Sequence, residues 1–137
     1  MNKKKLLEKY NQNYCSQEFY NSMVTYAFSE SQLKEGMKKL GAKQKDELTT
    51  LGFGSICLKS KANEIIEWIL KKQAEKDNWL KNLTIREKEV IIRYEIDNHE
   101  CTYTNDIEPV LEIFNGIFEL NLIISIWTEV QAEYQEK

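Results

Sequence analysis

The chain has 137 residues, of which 42% are hydrophobic and 11% aromatic, and its formal net charge is −3. This length suffices for one real core, and we expect a single domain over residues 1–137. The near balance of 19 basic and 22 acidic residues argues against a general nucleic-acid binder, which usually carries a basic excess.

The distribution of apolar residues and cysteines predicts a reduced, cytoplasmic protein, and the wealth of Lys, Asn and Ile suggests an AT-rich bacterial or phage genome. The longest apolar run, residues 122–127, is far shorter than the roughly 20 residues that a membrane span needs. The lysines at residues 3–5 resemble the start of a signal peptide, but no apolar stretch follows them. The three cysteines are scattered without paired spacing, which is typical of free thiols rather than a disulfide framework.

The first part of the chain predicts a helix, a strand and a second helix. Apolar residues at helical spacing indicate a helix over residues 3–17, and β-branched and aromatic residues favour a strand over residues 23–28. Ser29 begins a capping-box pattern that opens the next helix, and Gly41 suits its end. Gly36 lies inside that helix, where glycine costs about 1 kcal/mol relative to alanine, and this indicates that another backbone packs close.

Two further strands are predicted over residues 48–51 and 55–58. Between them, Gly52-Phe53-Gly54 fits either a tight hairpin turn or a β-bulge. Together with the earlier strand they form a small antiparallel sheet. Ser60 then caps a helix with a broad apolar stripe, and Asp77-Asn78 is expected to break it.

Three helices are predicted in the last part of the chain. Thr84 and Glu87 form a second capping box, and the helix that they open fades near Asn98. Asp106 caps a short helix with a proline in its first turn. Apolar residues recur at helical spacing over residues 120–134.

These elements predict an α+β fold, dominated by helix, with a small antiparallel sheet of about three strands. The last helix has a further consequence, since Ile124, Ile126 and Trp127 lie on different sides of it. At least one of them is expected to face a second subunit or a partner, which leaves a homodimer open.

Residues 94–106 are the most functionally mixed stretch of the chain. They include its only histidine, several acids, a cysteine and two tyrosines, between an apolar helical pattern and the next helix start. The candidate binding residues are Tyr94, Asn98, His99, Glu100, Tyr103, Thr104 and Asp106.

Two chemistries and one structural role compete for this stretch. His99 and its acids could hold a divalent metal, but a zinc site normally has three or four ligands, several of them His or Cys. Cys101 and His99 could form a nucleophile–base pair, although side chains two residues apart point away from each other in a helix or strand. We favour a structural role, in which a ring N–H of His99 bonds a backbone carbonyl and fixes the helix exit. No catalytic residue, metal or cofactor is therefore predicted.

Two blocks of sequence carry a resemblance to a known family. The motifs are Ala27-Phe28-Ser29, Gln32, Glu35-Gly36 and Leu40-Gly41 in the first block, and Asn98-His99-Glu100, Tyr103-Thr104 and Asp106 in the second. Their pairing resembles a family of small, functionally uncharacterised proteins of phages and mobile elements in Firmicutes and related bacteria. The resemblance brings no catalytic residues with it.

The resemblance implies an accessory protein of a phage or mobile element that binds a host protein. The mobile-element setting suggests anti-defence activity, such as that of an anti-CRISPR protein that occludes a defence-system effector. A small acidic domain suits this role, because occlusion needs surface complementarity and no chemistry. Acidic residues along the chain are usually solvated faces, but they could also present an acidic surface to a nucleic-acid-binding enzyme, in a site meant for phosphate; they are Glu30, Glu35, Asp46, Glu47, Glu108, Glu112 and Glu119. The alternatives are a non-inhibitory structural or regulatory phage protein, and a small enzyme or metal-binding protein centred on His99.

Overall fold

The structure is a computed structural model that describes residues 1–12 and 17–136. Its helices are α1 (Lys3–Tyr10), α2 (Glu18–Met23), α3 (Glu30–Leu40), α4 (Ala62–Lys81), α5 (Ile85–Asn98), α6 (Cys101–Thr104), α7 (Glu108–Ile113) and α8 (Leu120–Gln135). Its strands are β1 (Thr25–Tyr26), β2 (Leu48–Gly52) and β3 (Ser55–Leu58), in one antiparallel sheet of order β1-β3-β2. The predicted helix-dominated α+β fold is confirmed.

The chain divides into two compact units, each with a hydrophobic core of its own. The helical unit consists of Met1–Gln12 and Glu75–Lys137, and the sheet unit of Asn13–Ala74. Helix α4 contributes residues to both. The expectation from the length that residues 1–137 form a single domain stays a prediction.

The core of the sheet unit lies between the sheet and the helices that follow and precede it. Tyr20, Val24, Cys57 and Ile65 are buried there, with Trp68 packed against them. Strand residues alternate between faces, so Ile56 lies on the opposite face from Cys57. That second face meets α3.

Helix α3 approaches the sheet closely because Gly36 has no side chain. A Cβ placed on Gly36 would lie 2.8 Å from Cγ2 of Thr25 and 3.0 Å from Cδ1 of Ile56. The expected close packing at Gly36 is found, and the atoms nearest to it belong to side chains of β1 and β3. The predicted helix ends are confirmed, since the Ser29 hydroxyl accepts from the Gln32 N–H and Gly41 has a left-handed φ of 79°.

The first 28 residues differ most from the prediction. Helix α1 ends at Tyr10, and the part of the predicted helix over residues 13–16 lies outside the described residues. A helix, α2, replaces the start of the predicted strand, and only Thr25–Tyr26 pair with β3. Only Met23 of the predicted strand is helical, and the β-branched Val24 and Thr25 are extended, as such side chains favour.

Helix α4 is continuous over 20 residues and does not break at Asp77-Asn78, as we had expected. These two residues are only weakly unfavourable in a helix. The apolar pattern continues beyond them, and Leu80 is buried in the core of the helical unit. Burial of that face outweighs the small loss in helix propensity.

The helical unit packs α1, α5, α7 and α8 around a larger core. Its fully buried residues include Leu6, Ile91, Ile92, Ile96, Val110, Phe114 and Ile123. The Thr84–Glu87 capping box is confirmed, with hydrogen bonds of 3.1 and 3.0 Å. The Arg93 guanidinium binds Glu133 through two hydrogen bonds of 2.9 and 3.1 Å, which ties α5 to α8.

Helix α8 buries Ile126 and Trp127 within its own unit and leaves Ile124 40% exposed. Of the three residues predicted to lie on different sides, Ile124 is therefore the one that reaches the surface. None of the helices in residues 1–12 and 17–136 combines the length and apolar character that a bilayer crossing requires.

Candidate functional site

The predicted polar stretch is organised by a residue that was not among its candidates, Glu95. The Glu95 carboxylate is buried near the end of α5. It accepts a hydrogen bond of 3.1 Å from the hydroxyl of Tyr10 on α1 and one of 3.2 Å from the amide of Asn98. The His99 ring lies 3.9 Å away through Nε2. These donors satisfy a carboxylate that would otherwise be costly to bury.

This arrangement stabilises the neutral form of Tyr10. Burial, then the charge of Glu95 and the hydrogen bond to it, raises the pKa of the Tyr10 hydroxyl above the ordinary tyrosine range. The Tyr94 ring packs edge-on against Tyr10, and its hydroxyl lies 3.4 Å from the side-chain oxygen of Asn11. Of the candidates, Tyr94 packs directly against α1, while Asn98 and His99 lie against the Glu95 carboxylate that accepts from Tyr10.

The chain leaves α5 through a left-handed residue and not through a loop. Glu100 has a φ of 53° and stands before the short helix α6, which sequence patterns did not predict. Cys101 is completely buried in the core, and burial, then the charge of Asp106, raises the pKa of its thiol. A thiol held protonated and shielded from solvent is a poor nucleophile. The structure does not bring Cys101 and His99 together as a catalytic pair.

The remaining candidates lie at the surface around α6. Tyr103 is 82% exposed, and Thr104 donates a hydrogen bond to the backbone carbonyl of Glu100. A shallow depression of about 330 Å³ lies here, lined by Asp97, Glu100, Thr102 and Tyr103. Asp106 accepts a hydrogen bond of 3.0 Å from the Glu108 N–H at the start of α7, but it lies one residue before the N-cap, Ile107, and is therefore not the N-cap that the sequence predicted. Within residues 1–12 and 17–136, no three His, Cys, Asp or Glu side chains converge as a metal site would require.

A second surface, at the turn of the β2–β3 hairpin, combines an unfavourable backbone conformation with an exposed aromatic ring. Phe53 and Gly54 form the two-residue turn, with φ values of 53° and 78°. Two positive φ angles are characteristic of type I′ turns, where Asn-Gly is strongly preferred. A bulky residue such as Phe at a positive φ is a genuine outlier. Phe53 is also 98% exposed, so its ring makes almost no contact that would compensate.

Two more aromatic residues lie beside this turn, and we call Tyr26, Phe28 and Phe53 the aromatic tip. The Phe28 ring is 74% exposed and covers Gly54, where an added Cβ would collide with that ring. Tyr26 is 46% exposed and pairs with Ser55 in the sheet. Its hydroxyl lies 3.3 Å from the hydroxyl of Tyr20. The aromatic tip therefore belongs entirely to the sheet unit.

Comparison with known proteins identifies the family of the chain. A sequence model described as a family of unknown function, DUF7659, matches residues 7–135. The chain belongs to the DUF7659 family. No curated protein and no solved structure was found to be similar to it. The match spans both units of this DUF7659 member, including the aromatic tip and the Glu95 cluster.

Sequence patterns missed both of these features for identifiable reasons. Glu95 gains its importance from Tyr10, which lies 85 positions earlier in the chain. No local pattern reports a pair so distant. A signal for Phe53 was present, because Gly52-Phe53-Gly54 places an aromatic residue where a hairpin turn favours Asn. Of the two alternatives that this sequence left open, the hairpin turn is found at Phe53-Gly54, but the exposure of the ring follows only from the structure.

Proposed function

We propose that this protein is an accessory protein of a phage or mobile element that binds a host protein through the aromatic tip. In this proposal the partner is a defence-system effector, as for an anti-CRISPR protein, and binding blocks a functional surface of that effector. The mobile-element setting comes from the sequence resemblance. The proposed mode of binding is inferred from the exposed aromatic tip.

The observation that carries the proposal is Phe53. Its side chain is almost fully solvated, although burying a phenylalanine is favourable by about 1.5–3 kcal/mol. Its backbone is left-handed, which costs an L-residue a further 1–2 kcal/mol or so. Neither feature helps the sheet unit to fold. Local rules are broken in this way mainly at functional sites, and aromatic anchors that fill a partner's pocket dominate interface energetics.

The Glu95 cluster supports binding over catalysis. Its carboxylate is engaged by Tyr10 and Asn98 and is buried, so it offers no open position to a substrate. The Cys101 thiol lies in the core. An enzyme centred on His99 would need a convergent and accessible site, whereas the residues around His99 hold α1 and α5 together.

Affinity capture tests the proposal. The tagged protein is incubated with lysate of a bacterium that carries CRISPR and other defence systems, and bound proteins are identified by mass spectrometry. We expect stoichiometric, salt-sensitive recovery of a defence effector whose nuclease or nucleic-acid-binding activity the pure protein then inhibits. Phe53→Asn should abolish both recovery and inhibition, because it removes the anchor while improving the turn.

Tyr103→Asn is the matched control, since it removes another highly exposed aromatic ring, in this case from the originally predicted stretch. It should leave capture and inhibition unchanged. Loss of binding in Tyr103→Asn but not in Phe53→Asn would assign recognition to the α6 surface instead. Recovery of nucleic acid alone, or of phage structural proteins alone, would contradict the proposal. So would small-molecule turnover that His99→Ala abolishes.

A further inference from the structure

The helical unit has an open groove between α7 and the start of α8. Its volume is about 480 Å³, within the roughly 300–1,000 Å³ range of clefts that hold ligands. The floor consists of core residues, namely Phe114, Phe118 and Ile123. Leu120 lines the groove and is 60% exposed, and Leu111 is half-buried beside it.

Two carboxylates, Glu108 and Glu112, line the same groove. They are four residues apart and hence on one face of α7, where like charges repel. Neither has an ion-pair partner within the described parts of the chain. The ammonium of Lys88 lies 5.7 Å from the centre of the Phe118 ring and pairs with neither carboxylate. The groove thus combines exposed apolar surface with uncompensated negative charge.

We infer that the α7–α8 groove is a docking site for a cationic amphipathic helix of a protein partner. Apolar residues of such a helix would cover Leu111 and Leu120, while its Lys or Arg side chains would meet Glu108 and Glu112. Grooves between helices bind the apolar face of a helix in this way. Charge complementarity favours this occupant, because Glu108 and Glu112 would repel an acidic segment or a nucleic acid. The unit as a whole agrees, with ten basic and fifteen acidic residues.

The site is independent of the aromatic tip and extends the proposed function to a second contact. Its test uses a synthetic amphipathic helix of leucine and lysine as probe, and its charge-reversed form of leucine and glutamate. Binding is followed by leucine and isoleucine methyl NMR on the full chain. We expect the lysine probe to shift the methyl resonances of Leu111, Leu120 and Ile123, and the glutamate probe to shift none of them.

The decisive variant is Glu108→Gln/Glu112→Gln, with Glu64→Gln/Glu67→Gln as the matched control. Both remove two exposed negative charges, but the control lies on α4 in the sheet unit. The groove variant should raise the Kd of the lysine probe by about fivefold or more, and the control by less than about twofold. Leu120→Asn should weaken the probe as well, because it removes apolar contact.

Three results would overturn the inference. One is an equal loss of affinity in the groove variant and the control, which would indicate unspecific attraction to an acidic protein. Another is a set of methyl shifts outside the groove. The third is a dimer in sedimentation equilibrium that Leu120→Asn dissociates, which would make a second copy the occupant. Phe53→Asn should not change probe affinity, so a failure here and a failure of the proposed function remain distinguishable.

Discussion

At the scale of single residues, Phe53 allows the stability of the fold to be tested separately from the proposed binding role. Asparagine adopts positive φ more readily than phenylalanine and is the preferred partner of glycine in type I′ turns. We therefore expect Phe53→Asn to raise the free energy of unfolding by about 0.5–2 kcal/mol, as measured by denaturant titration. Phe53→Ala is the control, because it removes the ring but keeps a Cβ at positive φ. A lower stability of Phe53→Asn would mean that the ring contributes to the fold after all.

Tyr10 predicts the response of the helical unit to alkaline pH. Its pKa is raised in the folded state, chiefly by burial and next by the Glu95 charge, so the native state keeps a proton that the unfolded state releases above about pH 10. This stabilisation is fully present below that pH and is lost as the pH rises above it. An alkaline pH titration that follows tyrosinate absorbance together with far-UV circular dichroism should show one tyrosine that ionises only on unfolding. In Tyr10→Phe that late step should disappear.

The same residue tests the structural role of the Glu95 cluster. Tyr10→Phe leaves the buried carboxylate with one donor fewer, and we expect the free energy of unfolding to fall by about 1–3 kcal/mol. Asn98→Ala should cost less, because the Asn98 side chain is at the surface and water can replace its amide. Thermal melts at neutral pH compare the two. If Asn98→Ala cost more than Tyr10→Phe, the cluster would not be centred on the α1–α5 contact.

At the scale of elements, Gly36 sets the distance between α3 and the sheet. Gly36→Ala should gain helix propensity of about 1 kcal/mol and lose more through the contact with Thr25, since a β-branched side chain cannot move aside. We expect a net loss of about 1–2 kcal/mol. Thr25→Ser removes the methyl group involved, so the double variant should recover part of that loss. A double-mutant cycle without any coupling would contradict this packing.

The elements also show where sequence reasoning succeeds. The Thr84–Glu87 capping box, the left-handed Gly41 and the hairpin at Gly52-Phe53-Gly54 depend on residues close in sequence, and all three were predicted. The continuity of α4 through Asp77-Asn78 depends on burial of Leu80 in a core assembled from distant segments. Local preferences of a few tenths of a kcal/mol or so cannot foretell that outcome.

The candidate site shows the same division between local and distant causes. The start of α7 beside Asp106 was predicted from neighbouring residues, whereas the partners of the other side chains in residues 94–106 depend on segments distant in sequence. Asn98 and His99 lie against Glu95, Tyr94 packs against Tyr10, and Tyr103 faces solvent. The sequence alone showed only that Glu108 and Glu112 are four residues apart. Their position beside an exposed apolar groove, on which the proposed cationic partner depends, is visible only in the structure.

At the scale of the whole molecule, two buried cysteines can report whether the units unfold together. Cys57 is buried in the sheet unit and Cys101 in the helical unit, and burial raises the pKa of both thiols. Two single-thiol reporters follow, namely Cys15→Ser/Cys101→Ala and Cys15→Ser/Cys57→Ala. For a single cooperative domain, thiol labelling in denaturant should give the same midpoint in each, corrected for the stability of each variant. Separate midpoints would make the chain two domains.

The conflict between turn and side chain at Phe53 also bears on how this protein would respond to selection. A library screened only for thermal resistance or soluble yield should enrich Asn or Gly at this position, since both relieve the backbone. Such clones would look improved by every biophysical measure and would have lost recognition. Conversely, retention of an aromatic residue there under prolonged mutational drift would itself be a genetic signature of a partner in the cell.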